Sequence, residues 1–287
     1  MADTQATIYA QAYSRNIMQL AQQKYSKLIN TVYIKPNVNG KNFFQDQIGQ
    51  WSMETKASRN AATPNNDPTL ARRMGTLVDY HDNRMLDRGD ELRTISDPRS
   101  AYTIAAAQSL GRKIDDVIVA AMLGTAYTGE TGATSVTFSS SMIVAATTTG
   151  LTLAKVLNAK RLLDDNDIEM EDRYFVVSPQ GLEDLLGVTE ATSADYNSVK
   201  ALVRGDIDTW LGFKWITSTR LTNVAALTRS CIAYHKYALC LAMAAQPMVR
   251  TDERTDLSYS WQVYYELNIG GVRLEEERVA RVDINEA

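Results

Sequence analysis

The residues of this chain whose types and spacing could do chemistry form a glycine-flanked turn, an acidic cluster, and a handful of histidines and cysteines. Gly124-Thr125-Ala126-Tyr127-Thr128-Gly129-Glu130-Thr131 has the glycine spacing of a phosphate loop, in which backbone N–H groups cradle the anion and a lysine closes on it. Glu130 stands where that lysine is required, and a carboxylate there repels phosphate. The segment also follows a helical pattern, whereas a phosphate loop precedes one. It reads as a hinge with a helix C-cap. Asp164, Asp165, Asp167, Glu169, Glu171 and Asp172 offer the oxygen ligands that divalent cations take, but the glycine and terminal glutamate of an EF-hand loop are missing. The plainer reading is a solvated link between a helix and a strand. His81 lies beside Asp82 and near Asp79 and Asp87, a setting for acid–base work. With no nucleophile or second base indicated, it reads as a surface or interface histidine, and His235 as a packed strand residue.

Cys231 and Cys240 are the only cysteines, nine positions apart; a regular strand through both would aim them at opposite faces. With two histidines in the whole chain, neither a disulfide nor a zinc site is expected. The motifs Gly-x-Ser-x-Gly, Gly-x-Gly-x-x-Gly and His-Glu-x-x-His do not occur. No catalytic residue, metal or cofactor is expected, and hence no enzyme.

Composition limits the partners. The 287 residues are 45% apolar and 22% charged, with 30 Lys and Arg against 34 Asp and Glu. That is ordinary globular composition. A net charge of −4 gives no field that would hold nucleic acid, so sequence-specific DNA binding is not expected. No run approaches the ~18 apolar residues of a membrane span, so no membrane partner is expected. Met1 to Ala6 lacks the basic and apolar regions of a secretory signal, so the chain is expected to stay in the cytoplasm where it is made.

The elements that must carry these residues follow from pattern. Residues 2–29 read as a thin helix through Ile8, Ala12, Ile17, Leu20, Ala21, Tyr25 and Leu28. In 31–95, turn signals at Lys35-Pro36-Asn37 and Asn39-Gly40-Lys41 bracket a strand from Asn42 to Gly49, and Arg72 to Tyr80 offers a returning strand. Together they make an extended hairpin. Phe43, Phe44 and Trp51 fall on it, and such aromatics suggest burial against a partner, the alternative being packing on the chain's own body. The strongest pattern is 96–123: Ser96 or Asp97 caps, Pro98 opens, and Tyr102, Ala106, Leu110, Ile114, Val117, Ile118, Ala121 and Met122 form one stripe. This helix would be about 40 Å long.

Thr125 to Gly150, rich in Gly, Ser and Thr with a strand-like patch at Val136 to Phe138, reads as the boundary between subdomains. An αβα segment follows: a helix over 151–165 through Leu153, Val156, Leu157 and Leu162, a buried strand Tyr174 to Val177, and a helix begun by Ser178-Pro179 that holds Leu182, Leu185 and Leu186. Strands are expected at 213–218, at 231–235 and across Ser258 to Ile284. The class is α+β, without steady βαβ alternation.

This succession resembles the HK97-type major capsid proteins of tailed phages over nearly the whole chain. Three stretches carry the likeness: Arg72 to Tyr80, Leu110-Gly111-Arg112-Lys113-Ile114-Asp115-Asp116 running to Gly124-Thr125-Ala126, and Glu266-Leu267-Asn268-Ile269-Gly270-Gly271-Val272-Arg273. The resemblance implies an N-terminal arm over 1–35, an E-loop over 36–95, a peripheral domain with a spine helix over 96–149, an axial domain over 150–245 and return strands over 246–287. It implies a structural subunit that assembles as hexamers and pentamers into an icosahedral head around double-stranded DNA, made in the host cytoplasm and residing in the virion. Its partners would be further copies of itself with scaffold, portal and decoration proteins. Lys41, Phe43, Phe44 and Trp51 are the candidate subunit-interface residues. Lys41 invites comparison with the lysine cross-link of the type member, but no partner asparagine or catalytic carboxylate is identified, so cross-linking is not carried over. Two rival readings stand beside this one: an encapsulin-type nanocompartment shell, and a metal-dependent α+β hydrolase using the Asp164 to Asp172 cluster.

Overall fold

Residues 21–87, 99–187, 209–225 and 227–286 are described by the computed structural model. Four strands precede the long helix: β1 (Tyr33–Lys35), β2 (Asn42–Ile48), β3 (Leu70–Thr76) and β4 (Val78–Leu86). The helix α1 (Arg99–Leu123) is followed by β5 (Ala126–Thr128), β6 (Thr134–Val136) and β7 (Ile143–Val144). Then come α2 (Leu153–Asp164), β8 (Arg173–Val177) and α3 (Pro179–Gly187). The chain closes with β9 (Thr209–Trp210), β10 (Phe213–Thr217), β11 (Asn223–Ala225), β12 (Thr228–His235), β13 (Leu239–Met243), β14 (Met248–Arg254), β15 (Ser260–Arg273) and β16 (Val279–Asn285). The class is α+β.

Two units share the chain: one of 1–25, 79–112 and 246–267, the other of 26–78, 113–245 and 268–287. In the first, β14 pairs antiparallel with the first half of β15, from Met248 opposite Glu266 to Arg254 opposite Ser260, and β4 also pairs with β15. The Tyr265 hydroxyl donates to Asp82 at 2.9 Å, and the Arg84 guanidinium lies 5.8 Å from the Tyr102 ring centre. Ala106, Gln108, Leu110 and Gly111 are buried in this part of α1, and Ser260, Val263 and Leu267 in this part of β15.

The second unit holds a mixed sheet in the order β7-β16-β12-β8-β10-β9, with β11 on β12. β8 lies between β12 and β10, and all five of its residues are buried, of which Tyr174 to Val177 read as a continuous apolar run. Phe175 of β8 stacks on Trp215 at 4.4 Å and meets Phe213 edge-on at 5.7 Å. A second, antiparallel sheet runs β2-β3-β5-β6. β1 lies parallel to β13, which pairs with the second half of β15. Val38, Phe43, Ala126, Cys240, Ala242, Val272 and Leu274 form a shared core beneath these last strands.

The helix α1 buries Leu110, Ile114, Ile118 and Met122, four residues apart, together with Val119 and Asp115; Val117 and Ala121 of the expected stripe are half-buried. Gly270 and Gly271 explain why β15 can lie so close to its neighbours: a Cβ at Gly270 would sit 2.2 Å from the Thr76 carbonyl oxygen, and one at Gly271 2.8 Å from the Ala121 Cβ.

Several expectations change. Of the helix expected over 2–29, residues 1–20 lie outside the described residues, and 21–28 are not helical; a short 3-10 turn follows at Ile29–Thr31. The expected cap at Ser96, Asp97 and Pro98 also lies outside the described residues. The Arg72 to Tyr80 strand is two strands interrupted at Leu77, whose N–H donates to the Lys41 carbonyl and closes the hairpin base. Leu157 is exposed; α2 buries Val156, Ala159, Leu163 and Lys155 instead. The two units divide inside α1 and inside β15; the subdomain boundary that composition suggests at Thr125 to Gly150 lies wholly within the second unit. That stretch folds as β5, β6 and β7, whose short strands need little apolar sequence because each is paired to a neighbour.

Candidate assembly surfaces

β2 and β3 pair in unbroken register from Asn42 opposite Thr76 to Ile48 opposite Leu70. Side chains alternate across a strand, so Phe43 and Phe44 go opposite ways. Phe43, 3% exposed, enters the core cluster with its ring over Gly75, where a Cβ would come within 2.2 Å of it. Phe44, 36% exposed, sits on the outer face opposite Met74, which is itself opposite Tyr127 of β5. The expectation that Phe43 projects toward a partner therefore gives way to the alternative of packing on its own body. The pattern Phe-Phe hides which member is inside until the register is known.

Beyond Ile48 the hairpin is pinned by the Gly49 N–H donating to the Thr69 carbonyl at 2.7 Å. The intervening 50–68 contain no helix or strand. Trp51 is 73% exposed and Met53 99%, and the cross-strand pair Ile48 and Leu70 is exposed as well. Lys41 is exposed at the base. Phe44, Ile48, Leu70 and Tyr127 thus share one outward face, continued by Trp51 and Met53 at the tip. The Arg72 guanidinium lies 5.5 Å from the Phe44 ring and pairs with Asp46 at 2.5 Å, which keeps the cation on this face. Its hydrogen bond lowers the Asp46 pKa. So much exposed apolar surface on one projecting element is a mark of an interaction surface.

Three buried polar anchors hold the second unit together. Arg273, fully buried, donates to the carbonyls of Met122 (2.8 Å) and Gly124 (2.7 Å), capping the end of α1 with positive charge. Asp115, also fully buried, accepts from the Ser26 hydroxyl (2.5 Å) and from the Lys27 and Leu28 N–H groups (3.1 and 3.2 Å), fixing the incoming chain on α1. Lys155 donates to the carbonyls of Ala146, Thr149, Gly150 and Asp283, and burial pushes its pKa down. Sequence pattern missed all three, because a charged residue inside a helix or strand carries no periodic signal of its own.

The candidate chemical groups are absorbed by structure. In the glycine-flanked turn, Ala126–Thr128 is strand β5, and Gly129 and Gly132 take positive φ (100° and 73°) in the turn to β6. The helix end is capped by Arg273 in place of a left-handed glycine. In the acidic cluster, Asp164 accepts from Arg173, Asp172 pairs with Lys214 at 2.8 Å, and Glu169 pairs with Arg278 at 3.1 Å. Among the described residues no three His, Cys, Asp or Glu side chains converge as metal ligands, and no helix is long and apolar enough to cross a membrane. His81 is exposed on β4, and His235 is buried at the end of β12 with Nδ1 accepting from the Tyr237 N–H at 3.3 Å. Cys231 and Cys240 are free and buried; burial pushes their thiols up to about 12 and about 11.

Compared with known families, residues 5–286 match the model of a phage capsid protein family, described as "Phage capsid protein". The chain belongs to this family. The solved capsid of cyanophage P-SCSP1u superposes on this capsid protein with a TM-score of 0.74 at 14% identity, over 98% of this chain and 94% of that one. The cyanophage Pam1 capsid gives 0.74 at 14% identity over the full length of both chains, and the capsid of Ralstonia phage GP4 gives 0.74 at 11% identity over 100% and 98%. No individually curated protein sequence matches. At such identities the shared feature is the fold, and the fold is the HK97-like one that the sequence resembles. This capsid protein is a structural subunit, not an enzyme.

Proposed function

We propose that copies of this chain assemble as hexamers and pentamers into the icosahedral head that encloses a phage's double-stranded DNA. The observation that carries this reading is the hairpin: a pinned pair of strands whose outer face and tip expose Phe44, Ile48, Leu70, Trp51 and Met53 with no core of their own to enter. In this reading 1–35 are the N-terminal arm, 36–95 the E-loop, 96–149 the peripheral domain with α1 as spine, 150–245 the axial domain and 246–287 the return strands. Lys41, Phe44 and Trp51 contact a neighbouring subunit, while Phe43 holds the hairpin to its own body. Each contact is modest, and a closed shell repeats it many times over.

Scaffold, portal and decoration proteins complete the assembly, which takes place in the host cytoplasm. The net charge of −4 suits a wall that contains DNA without gripping it. Electron microscopy and light scattering of the purified chain, alone and co-expressed with the neighbouring phage genes, test the reading. Uniform closed shells are expected in at least the co-expressed sample. A small monodisperse species in both overturns it.

A further inference from the structure

β14 is the last strand on its side of β15, and among the described residues no strand pairs with its other edge. Its seven pairs with β15 run without a bulge, it contains no proline, and Arg250, Thr251, Asp252 and Glu253 are exposed. An edge of this length with neither bulge nor proline presents N–H and C=O groups to which another strand can add, and the charges along it limit which strand that can be. The charges along it alternate in sign: Arg250, Asp252 and Arg254 share one face and Glu253 lies on the other. Arg254 is already paired with Asp256 of its own chain.

We propose that β14 pairs antiparallel with β14 of a second copy across a two-fold axis centred on Thr251. This rests on the reading that copies of the chain assemble into a shell. A two-fold perpendicular to the sheet brings together residues of the same face, so the axis must pass through a residue position. Centred on Arg250 it sets arginine against arginine. Asp252 and Glu253 as centres likewise oppose two carboxylates, and centring on Val249 leaves only Met248 to Arg250 overlapping. Centred on Thr251 it uses the whole strand, places Arg250 opposite Asp252 twice, and faces threonine with threonine, both favourable cross-strand pairs. The strand's own sequence thus selects one self-complementary register.

The test uses assembled particles of the full chain carrying Thr251→Cys. Directly opposed Cβ atoms lie about 4.5–5.5 Å apart, close to the ~3.5–4.5 Å that a disulfide spans. Cys231 and Cys240 are buried and should not react. Mild oxidation should give a covalent dimer from Thr251→Cys particles and none from Glu253→Cys particles, where the register sets Val249 opposite. Separately, Arg250→Asp and Asp252→Arg each create two like-charge pairs and should lower particle yield about tenfold, while the double variant restores the opposite-charge pairs and should recover the wild-type yield. Thr251→Cys particles that stay monomeric, or single reversals that assemble like wild type, overturn the pairing. If Thr251→Cys itself forms no particles, the charge-reversal series decides. Absence of particles from the unaltered chain overturns the shell reading, and this proposal with it.

Discussion

Arg273 and Glu276 form an ion pair at the end of α1, Nε to Oε1 at 3.2 Å, and Glu276 is held a second time by Arg73 at 2.6 Å. One carboxylate therefore serves two guanidiniums. Arg273 spends its other donors on the last carbonyls of α1, and the Arg73 Nε donates to the Leu274 carbonyl at 2.8 Å. The cluster joins β3, α1 and the end of β15 within one unit.

Replacing Arg273 with Met removes the cap from α1 and leaves the Glu276 carboxylate with Arg73 alone. Breaking a buried pair from one side destabilises by about 3–5 kcal/mol. Urea denaturation of the unassembled subunit should show that loss; an unchanged midpoint would mean the cluster holds nothing.

The adjacent phenylalanines of β2 should behave oppositely. Phe43→Ala empties a core site and should destabilise the subunit by about 3–5 kcal/mol. Phe44→Ala, on the outer face, should leave subunit stability within about 0.5 kcal/mol of wild type yet reduce shell yield. Denaturation midpoints combined with particle counts by electron microscopy separate the two effects.

At Gly270 the obstacle is backbone, which cannot swing aside. Gly270→Ala places a methyl 2.2 Å from the Thr76 carbonyl oxygen, and overpacking of this kind costs about 1–3 kcal/mol or more. Lower thermal stability and lower soluble yield are expected. Wild-type stability would show that Thr76 can retreat without penalty.

Acid should weaken the subunit by way of His235. Burial lowers its pKa from 6.5, aided by Arg278 and opposed by Glu169. The unfolded chain therefore takes up a proton before the folded one does, so stability is complete above pH 6.5 and declines as pH falls below it. Glu169 adds to this lower down: its own backbone N–H, Arg278 and His235 depress its pKa from 4.5, so its contribution is lost below that value. His235→Gln should flatten the thermal-stability profile just below pH 6.5 and leave the steeper loss below 4.5. An identical profile for variant and wild type would remove His235 from the account.

Local pattern carried far in this sequence where burial is one-sided or complete. The i, i+4 series from Leu110 to Met122 and the run Tyr174 to Val177 each announced their element, and Asn42 to Gly49 with Arg72 to Tyr80 announced a hairpin. What stayed hidden depends on partners distant in sequence. Whether Phe43 or Phe44 faces inward is set by Gly75 and by Ala126, Cys240 and Val272. Thr125 to Gly150 showed only one strand-like patch, at Val136 to Phe138, because strands of two or three residues leave too few positions to show alternation. Arg273 was legible as part of a likeness, but its role as the cap of α1 required knowing that β15 passes that helix end.

A cryo-electron microscopy reconstruction of the assembled particle shows whether the hairpin face is a subunit interface. The expected result is a closed icosahedral shell of this chain in which Trp51, Met53 and the outer face carrying Phe44 lie buried against a neighbouring subunit. A shell in which that hairpin face and tip stand free in solvent, or a chain that forms no closed particle under any assembly condition, would contradict it.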